Sequence, residues 1–175
     1  MTTHEIGQHG SKVSLRRRLA VLAGLCTLAG VAHGGVICSL TASGVAFGNY
    51  DPLAAAAADV AGTITITCNY VAPGGEAEAQ YVLRLSPGLS GNYTLRQMAS
   101  GPTRLGYNLF RNAGHTQVMG SGSGGSSEIS GTLQVTPGLG KRTNSQTFTV
   151  YGRMPALQSA PAGTYVDTIV ATLNY

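Results

Sequence analysis

The chain is 175 residues long, 43% hydrophobic and only 10% charged, with a formal net charge of +4. That length suits one domain behind a short leader. The basic excess is no evidence for nucleic-acid binding, because Lys12, Arg16, Arg17 and Arg18 all sit in the leader. Beyond it, Arg84, Arg96, Arg104, Arg111, Lys141, Arg142 and Arg153 nearly balance Asp51, Asp59, Glu76, Glu78, Glu128 and Asp167. A near-neutral, Gly- and Thr-rich surface suits packing against copies of itself or a matrix.

Residues 1–32 read as a secretory signal peptide. A polar lead-in, Met1 to Ser11, is followed by the positive cluster, an apolar run from Leu19 to Leu28, and small residues Ala29, Gly30 and Ala32. The apolar run is too short to span a bilayer. Cleavage is expected after Ala32, with Gly34 as the next choice. Cys26 does not fit a lipoprotein anchor, since Leu25 stands where a small residue is needed. No other apolar run is long enough for a membrane helix, so residues 33–175 form the domain to be explained.

Cys38 and Cys68 are then an even pair in an oxidising compartment, which reads as a disulfide. The closed loop of about 30 residues gives roughly 3–4 kcal/mol by chain entropy. Without a nearby histidine pair these two cysteines cannot fill a tetrahedral metal site, and no metal or cofactor is expected.

No long amphipathic helix appears. Short alternating segments recur between Gly, Pro, Ser and Asn clusters, the pattern of an antiparallel β-sandwich or barrel. Val36–Ala42 is a first strand carrying Cys38, and Gly44–Tyr50 a second extended piece ended by Asp51-Pro52. Ala54–Ala58 is too short for a stable helix and reads as a connection. Thr63–Tyr70 places Ile64, Ile66 and Cys68 on one face and its threonines on the other. After the Pro73-Gly74-Gly75 turn, Gln80–Ser86 aligns Tyr81, Leu83 and Leu85. Tyr93–Met98 and Leu105–Arg111 follow, the latter with Leu105, Tyr107 and Leu109 in phase. Gly120–Ser127 is a low-complexity loop expected to be mobile. Glu128–Thr136 and Gln146–Arg153 flank the Pro137–Asn144 turn, with Phe148 and Val150 directed inward.

The last segment, Ala162–Tyr175, alternates to the end of the chain: Ile169, Ala171, Leu173 and Tyr175 on one face, Thr168, Val170, Thr172 and Asn174 on the other. Such a strand finds its second neighbour earlier in the sequence or in another molecule.

Catalytic constellations are not evident. His33 lies at the ragged terminus. His115, beside Asn112, Thr116 and Gln117, lacks a triad's partners and reads as a solvated loop residue. Glu76 and Glu78 lie in a Gly-rich turn and read as solvated rather than as a glycosidase pair. Gly122–Gly125 is followed by no Lys-Ser/Thr and no helix, so it is not a phosphate loop. Asp167 reads as a carboxylate bonding nearby backbone N–H groups. The tyrosines suit core edges, where the ring packs and the hydroxyl meets water.

In order, the chain carries Cys38, GVAFGNYDP (Gly44–Pro52), GTITITC (Gly62–Cys68), LGYNLFR (Leu105–Arg111), TVYGRMP (Thr149–Pro155) and PAGTYVDTIVATLNY (Pro161–Tyr175). This series resembles the spore coat protein U domain family, which includes subunits of archaic, Csu-type chaperone–usher pili. The likeness covers essentially all of residues 33–175. It implies an all-β, immunoglobulin-like antiparallel sandwich that is incomplete, lacking its last strand. The groove beside the C-terminal strand would be filled first by a periplasmic chaperone, then, at an outer-membrane usher, by the N-terminal extension of another subunit: β-strand addition.

Carried over, the interface residues would be Ile169, Ala171, Leu173 and Tyr175, with the terminal carboxylate as an anchor for basic residues. From periodicity alone these four read as core positions of a closed sandwich, and it is the resemblance that reverses this. The resemblance implies no enzyme activity, no small-molecule substrate and a destination at the cell surface, in a fimbria or a coat, by way of the periplasm. One departure stands out: only His33 to Ile37 precede Cys38 after the expected cleavage, too few to fill a neighbour's groove at about 3.3 Å per residue. That fits a tip or terminal subunit, or a secreted coat protein that does not polymerise by this route. An adhesin or lectin-like module contacting a surface or glycan is the alternative.

Overall fold

The computed structural model describes residues 2–6, 35–71, 78–135 and 142–175. The leader's basic and apolar parts, Cys26, His33, Glu76, the Pro73–Gly75 turn and most of the Pro137–Asn144 turn lie outside them. Every regular element described is a strand: β1 Thr2–Ile6, β2 Val36–Ala42, β3 Ala58–Tyr70, β4 Glu78–Leu85, β5 Arg96–Ser100, β6 Thr103–Phe110, β7 Ile129–Gln134, β8 Thr143–Met154 and β9 Ile169–Asn174.

Alternation creates two layers. One sheet has the order β1-β9-β4-β7 and the other β2-β3-β8-β6-β5, with every described strand pair antiparallel. The buried residues of one sheet (Tyr81, Leu83, Leu85, Ile129, Leu133, Ile169, Ala171, Leu173) meet those of the other (Leu40, Ile64, Ile66, Leu105, Leu109, Val150) in a single core. This is an immunoglobulin-like β-sandwich. The sheets are joined across the core by the Tyr81 hydroxyl, which donates to Gln146 Oε1 at 2.6 Å.

The cysteine pairing holds. Cys38 and Cys68 stand directly opposite each other in the β2–β3 ladder and are bonded, with Cα atoms 4.0 Å apart. Both face the core. β3 begins earlier than the alternation indicates, at Ala58, because the alanine run feeds straight into its ladder with β8.

Two sequence expectations change. Gly120–Ser127 is tied down rather than slack: Ser126 Oγ donates to Ser123 O at 2.6 Å and accepts from Ser121 N–H, and Met119 bridges to Ser127. His115 is not solvated. A left-handed turn residue (φ 54°), it folds its imidazole edge-on to Phe110 and Tyr151, leaving the side chain 8% exposed. Its Nε2 lies 3.8 Å from Asp59, whose carboxylate is held by both Arg153 Nε and Nη2.

Candidate functional site

β9 is built by its own alternation: Ile169, Ala171 and Leu173 are buried, while Val170, Thr172 and Asn174 are half-exposed on the outer face. Of the four residues singled out from sequence, three therefore point into the sandwich together, and Tyr175 lies apart from them, 48% exposed. What β9 offers along its edge is backbone. One edge pairs with β4 through Val82↔Asn174 to Leu85↔Ala171. The other pairs with β1, from Thr2↔Leu173 to Ile6↔Ile169. The second neighbour of β9 thus comes from the lead-in, which the sequence reading treats as a featureless start to the leader.

Just before β9 a cleft of about 740 Å³ opens into the core. One wall is residues 43–52 and the other residues 160–169; Leu85, Leu105, Tyr107, Val150 and Met154 form the floor. A mostly apolar concavity of this size is what a side chain or strand from elsewhere can fill. The first wall continues β2 without continuing its ladder. Val45 and Phe47 instead seat over Gly152: a Cβ there would meet Val45 Cγ1 at 2.6 Å and Phe47 Cζ at 3.0 Å. Gly62 makes the same room for Val45. Phe47 also packs edge-on against Tyr107, with ring centroids 5.8 Å apart.

The second wall is fixed by Asp167. Its Oδ1 accepts from Leu89 N–H and Thr168 N–H, both at 2.8 Å, the backbone role expected of it. Its Oδ2 accepts from the Tyr107 hydroxyl at 2.7 Å, a partner the sequence does not reveal. Burial, then the hydrogen bond and negative charge of Asp167, push the Tyr107 phenol far above its usual range. Gly88, at φ +73°, brings its backbone so close to Asp167 that a Cβ would overlap the carboxylate.

Behind the cleft lies a fully buried arginine. Arg96 donates to Asn108 Oδ1 (2.7 Å), Met119 O (2.8 Å) and Ser86 O (2.9 Å), with its guanidinium 5.6 Å from the Tyr93 ring centroid. Burial lowers its pKa. Ser86 in turn accepts from Val170 N–H through Oγ, so this network reaches β9 itself. Nothing in the local sequence marks Arg96 as buried: it reads as one more polar residue on a short strand.

Among the described residues no group of three His, Cys, Asp or Glu side chains is placed to hold a metal ion, and no helix is long and apolar enough to cross a membrane. Glu78 is exposed at the start of β4, and His115 has a carboxylate nearby but no nucleophile among its contacts.

The architecture defines a class: a disulfide-stapled, immunoglobulin-like sandwich with an apolar cleft at the start of its C-terminal strand. The comparisons agree. Residues 26–172 match the model of the Spore Coat Protein U domain, and the chain belongs to that family. No curated protein matches it. Among solved structures it is similar to a chain of the CsuC–CsuE chaperone–tip adhesion subunit pre-assembly complex from the archaic chaperone–usher Csu pili of Acinetobacter baumannii, with 26% identity and a TM-score of 0.50. That match covers 80% of this chain and 40% of the other, so this chain spans about two fifths of its neighbour's length.

Proposed function

We propose that the protein is an exported structural subunit of a chaperone–usher pilus or related surface coat, closed by a strand from another polypeptide. The observation that carries this reading is the outer edge of β9: its partner among the described residues is β1, which belongs to the expected leader. Cleavage after Ala32 removes that strand and leaves unpaired backbone beside an apolar cleft. An edge in that state is a template for strand addition. The family and the pilus-subunit neighbour support it. A periplasmic chaperone, an outer-membrane usher and neighbouring subunits are then its partners, and the cell surface its destination. We assign it a tip or terminal position, because the residues between Ala32 and Cys38 are too few to donate a strand. The protein acts by assembly and carries no catalytic role.

The test uses the exported protein, purified after expression of the full gene, and a synthetic peptide of residues 1–11. Saturating peptide at about 100 times its Kd adds about 2.7 kcal/mol of stability if it binds only the folded form. A rise in the unfolding midpoint that disappears when the peptide's Ile6 is replaced by proline supports strand addition. No shift at millimolar peptide refutes it.

A further inference from the structure

One wall of the cleft is held differently from the other. Residues 44–50 make no backbone–backbone hydrogen bond to another described residue; the last before them is Ser43 N–H to Thr63 O. Yet the segment is extended and lies over the core. Val45 and Phe47 rest on the glycine hollow already described, and Gly48 sits in the left-handed region (φ +70°) with open space where a Cβ would stand. A segment seated by two side chains and interrupted by glycine is free to swing, unless its far end is fastened.

The fastening is Tyr50. Its hydroxyl donates to Pro155 O at 3.0 Å and accepts from Gln158 N–H at 2.8 Å. The turn that receives it is itself unusual. Pro155 ends β8, since proline has no N–H to continue a ladder, and the β6–β8 pairing covers only Asn108 to Phe110. At Gly106 the side-chain amide of Gln158 takes the place of the missing strand. It accepts from Gly106 N–H and donates to Gly106 O, both at 2.8 Å. Leu157 holds the turn with φ 57°, a strained value for leucine, while its side chain is exposed.

We propose that residues 44–52 are a swinging wall latched by Tyr50 to the Pro155–Gln158 turn, and that release of this latch sets how fast a strand enters and leaves the cleft. This rests on the strand-accepting reading. The latch closes on the wall rather than on the occupant, so it acts on both rates. Weakening it speeds association and dissociation together and leaves Kd little changed. Damage to the cleft would instead raise dissociation alone.

The experiment reads wall opening and strand exchange separately in the exported protein. A Val45→Cys thiol, seated over Gly62 and Gly152, reports opening through its labelling rate by a thiol reagent. A Leu173→Cys thiol in the opposite sheet reports global unfolding. Two changes break the latch from either end: Tyr50→Phe removes the hydroxyl, and Gly106→Ala places a Cβ 2.9 Å from Gln158 Oε1 and dislodges the amide. Each is expected to speed labelling at position 45 at least tenfold, with no change at position 173. Each should also raise both rate constants for the 1–11 peptide by a similar factor. Unchanged labelling at 45 refutes the latch. Faster labelling with unaltered peptide rates refutes its control of strand exchange. Faster labelling with no peptide binding in any variant, wild type included, overturns the strand-accepting reading and this control with it, while the wall's motion stands.

Discussion

The disulfide is the sharpest place to test how the rim of the cleft is maintained. Cys38 and Cys68 are 30 residues apart, and the loop they close contains the whole of the 43–52 wall. Among the described residues β2 has only β3 as a ladder neighbour. Replacing both cysteines by alanine removes the covalent constraint from the unfolded chain. For a loop of that length the entropic contribution is about 3.6 kcal/mol at 25 °C. Both sulfurs are buried, at 3% and 0% residue exposure, so lost packing adds to the effect. For a domain of this size the midpoint should fall by about 10–15 °C. Guanidinium denaturation of the double variant, followed by far-ultraviolet circular dichroism, measures the free energy. Capture of the 1–11 peptide should weaken in parallel, because the wall and β2 lose a common anchor. A loss below about 1 kcal/mol with peptide capture unchanged would refute the argument that the staple holds this rim.

Four further outcomes follow from the same geometry. Leu173→Ala, at a fully buried site, should cost about 2–5 kcal/mol, whereas Thr172→Ala on the outer face should cost under about 0.5 kcal/mol; equal losses by urea denaturation would contradict the assigned phase of β9. Arg96→Met takes the guanidinium from Ser86 O and Met119 O, at about 1–3 kcal/mol each, and leaves Asn108 Oδ1 with Leu109 N–H as its remaining donor; a thermally unaffected variant would show that the buried guanidinium is dispensable. Hydrogen bonding to Arg153 holds the Asp59 carboxyl below its ordinary pKa, so its contribution is complete above about pH 4 and is lost as pH falls through the lowered folded value. Melting between pH 6 and 2 should show a shallower acid loss in Arg153→Met, and an unchanged slope would refute the pairing. Tyr107 is raised in the fold, so its stabilising effect is complete below about pH 10 and fades above it. In Asp167→Asn, difference absorbance at 295 nm should show one buried tyrosine ionising at lower pH than in the wild type, though burial still holds it above the ordinary range, and the same titration in both forms would refute the Tyr107–Asp167 bond.

Period-two alternation made most strands legible because burial in a two-layer sheet is decided by phase. Ile64, Ile66 and Cys68, or Leu105, Tyr107 and Leu109, need no long-range information to reveal which face is inward. The disulfide was legible from parity and compartment. The cleft was not. Its walls are segments with no ladder, and their places depend on contacts far apart in sequence, such as Tyr50 with Gln158 and Tyr107 with Asp167. Arg96 and His115 were missed for one reason: a polar side chain near a turn is exposed by default, and only tertiary contacts bury it. Tyr175 was grouped with Ile169, Ala171 and Leu173 because alternation extends formally to the last residue, whereas β9 ends at Asn174.

The placement of β2 and β9 explains why the proposed opening lies where it does. In residues 35–175 β2 is the first strand and β9 the last, and each lies at a margin of its own sheet once β1 is set aside. A hairpin cannot join them, since they end in different layers and each pairs inward, β2 with β3 and β9 with β4. The gap between these margins is where β1 runs, paired with β9 and close to β2. In the register observed, β1 reaches Ile169 at Ile6, and an antiparallel strand continuing beyond that point advances toward residues 167–162, the second wall of the cleft. A peptide of five residues can therefore occupy only the β9 half of the opening, while one extended by four to six alternating apolar residues reaches the cleft as well. Binding should strengthen with that extension and fall back when the added apolar residues become serine. If the longer peptide binds no better than residues 2–6 alone, strand and cleft are separate features and the opening is not one continuous groove.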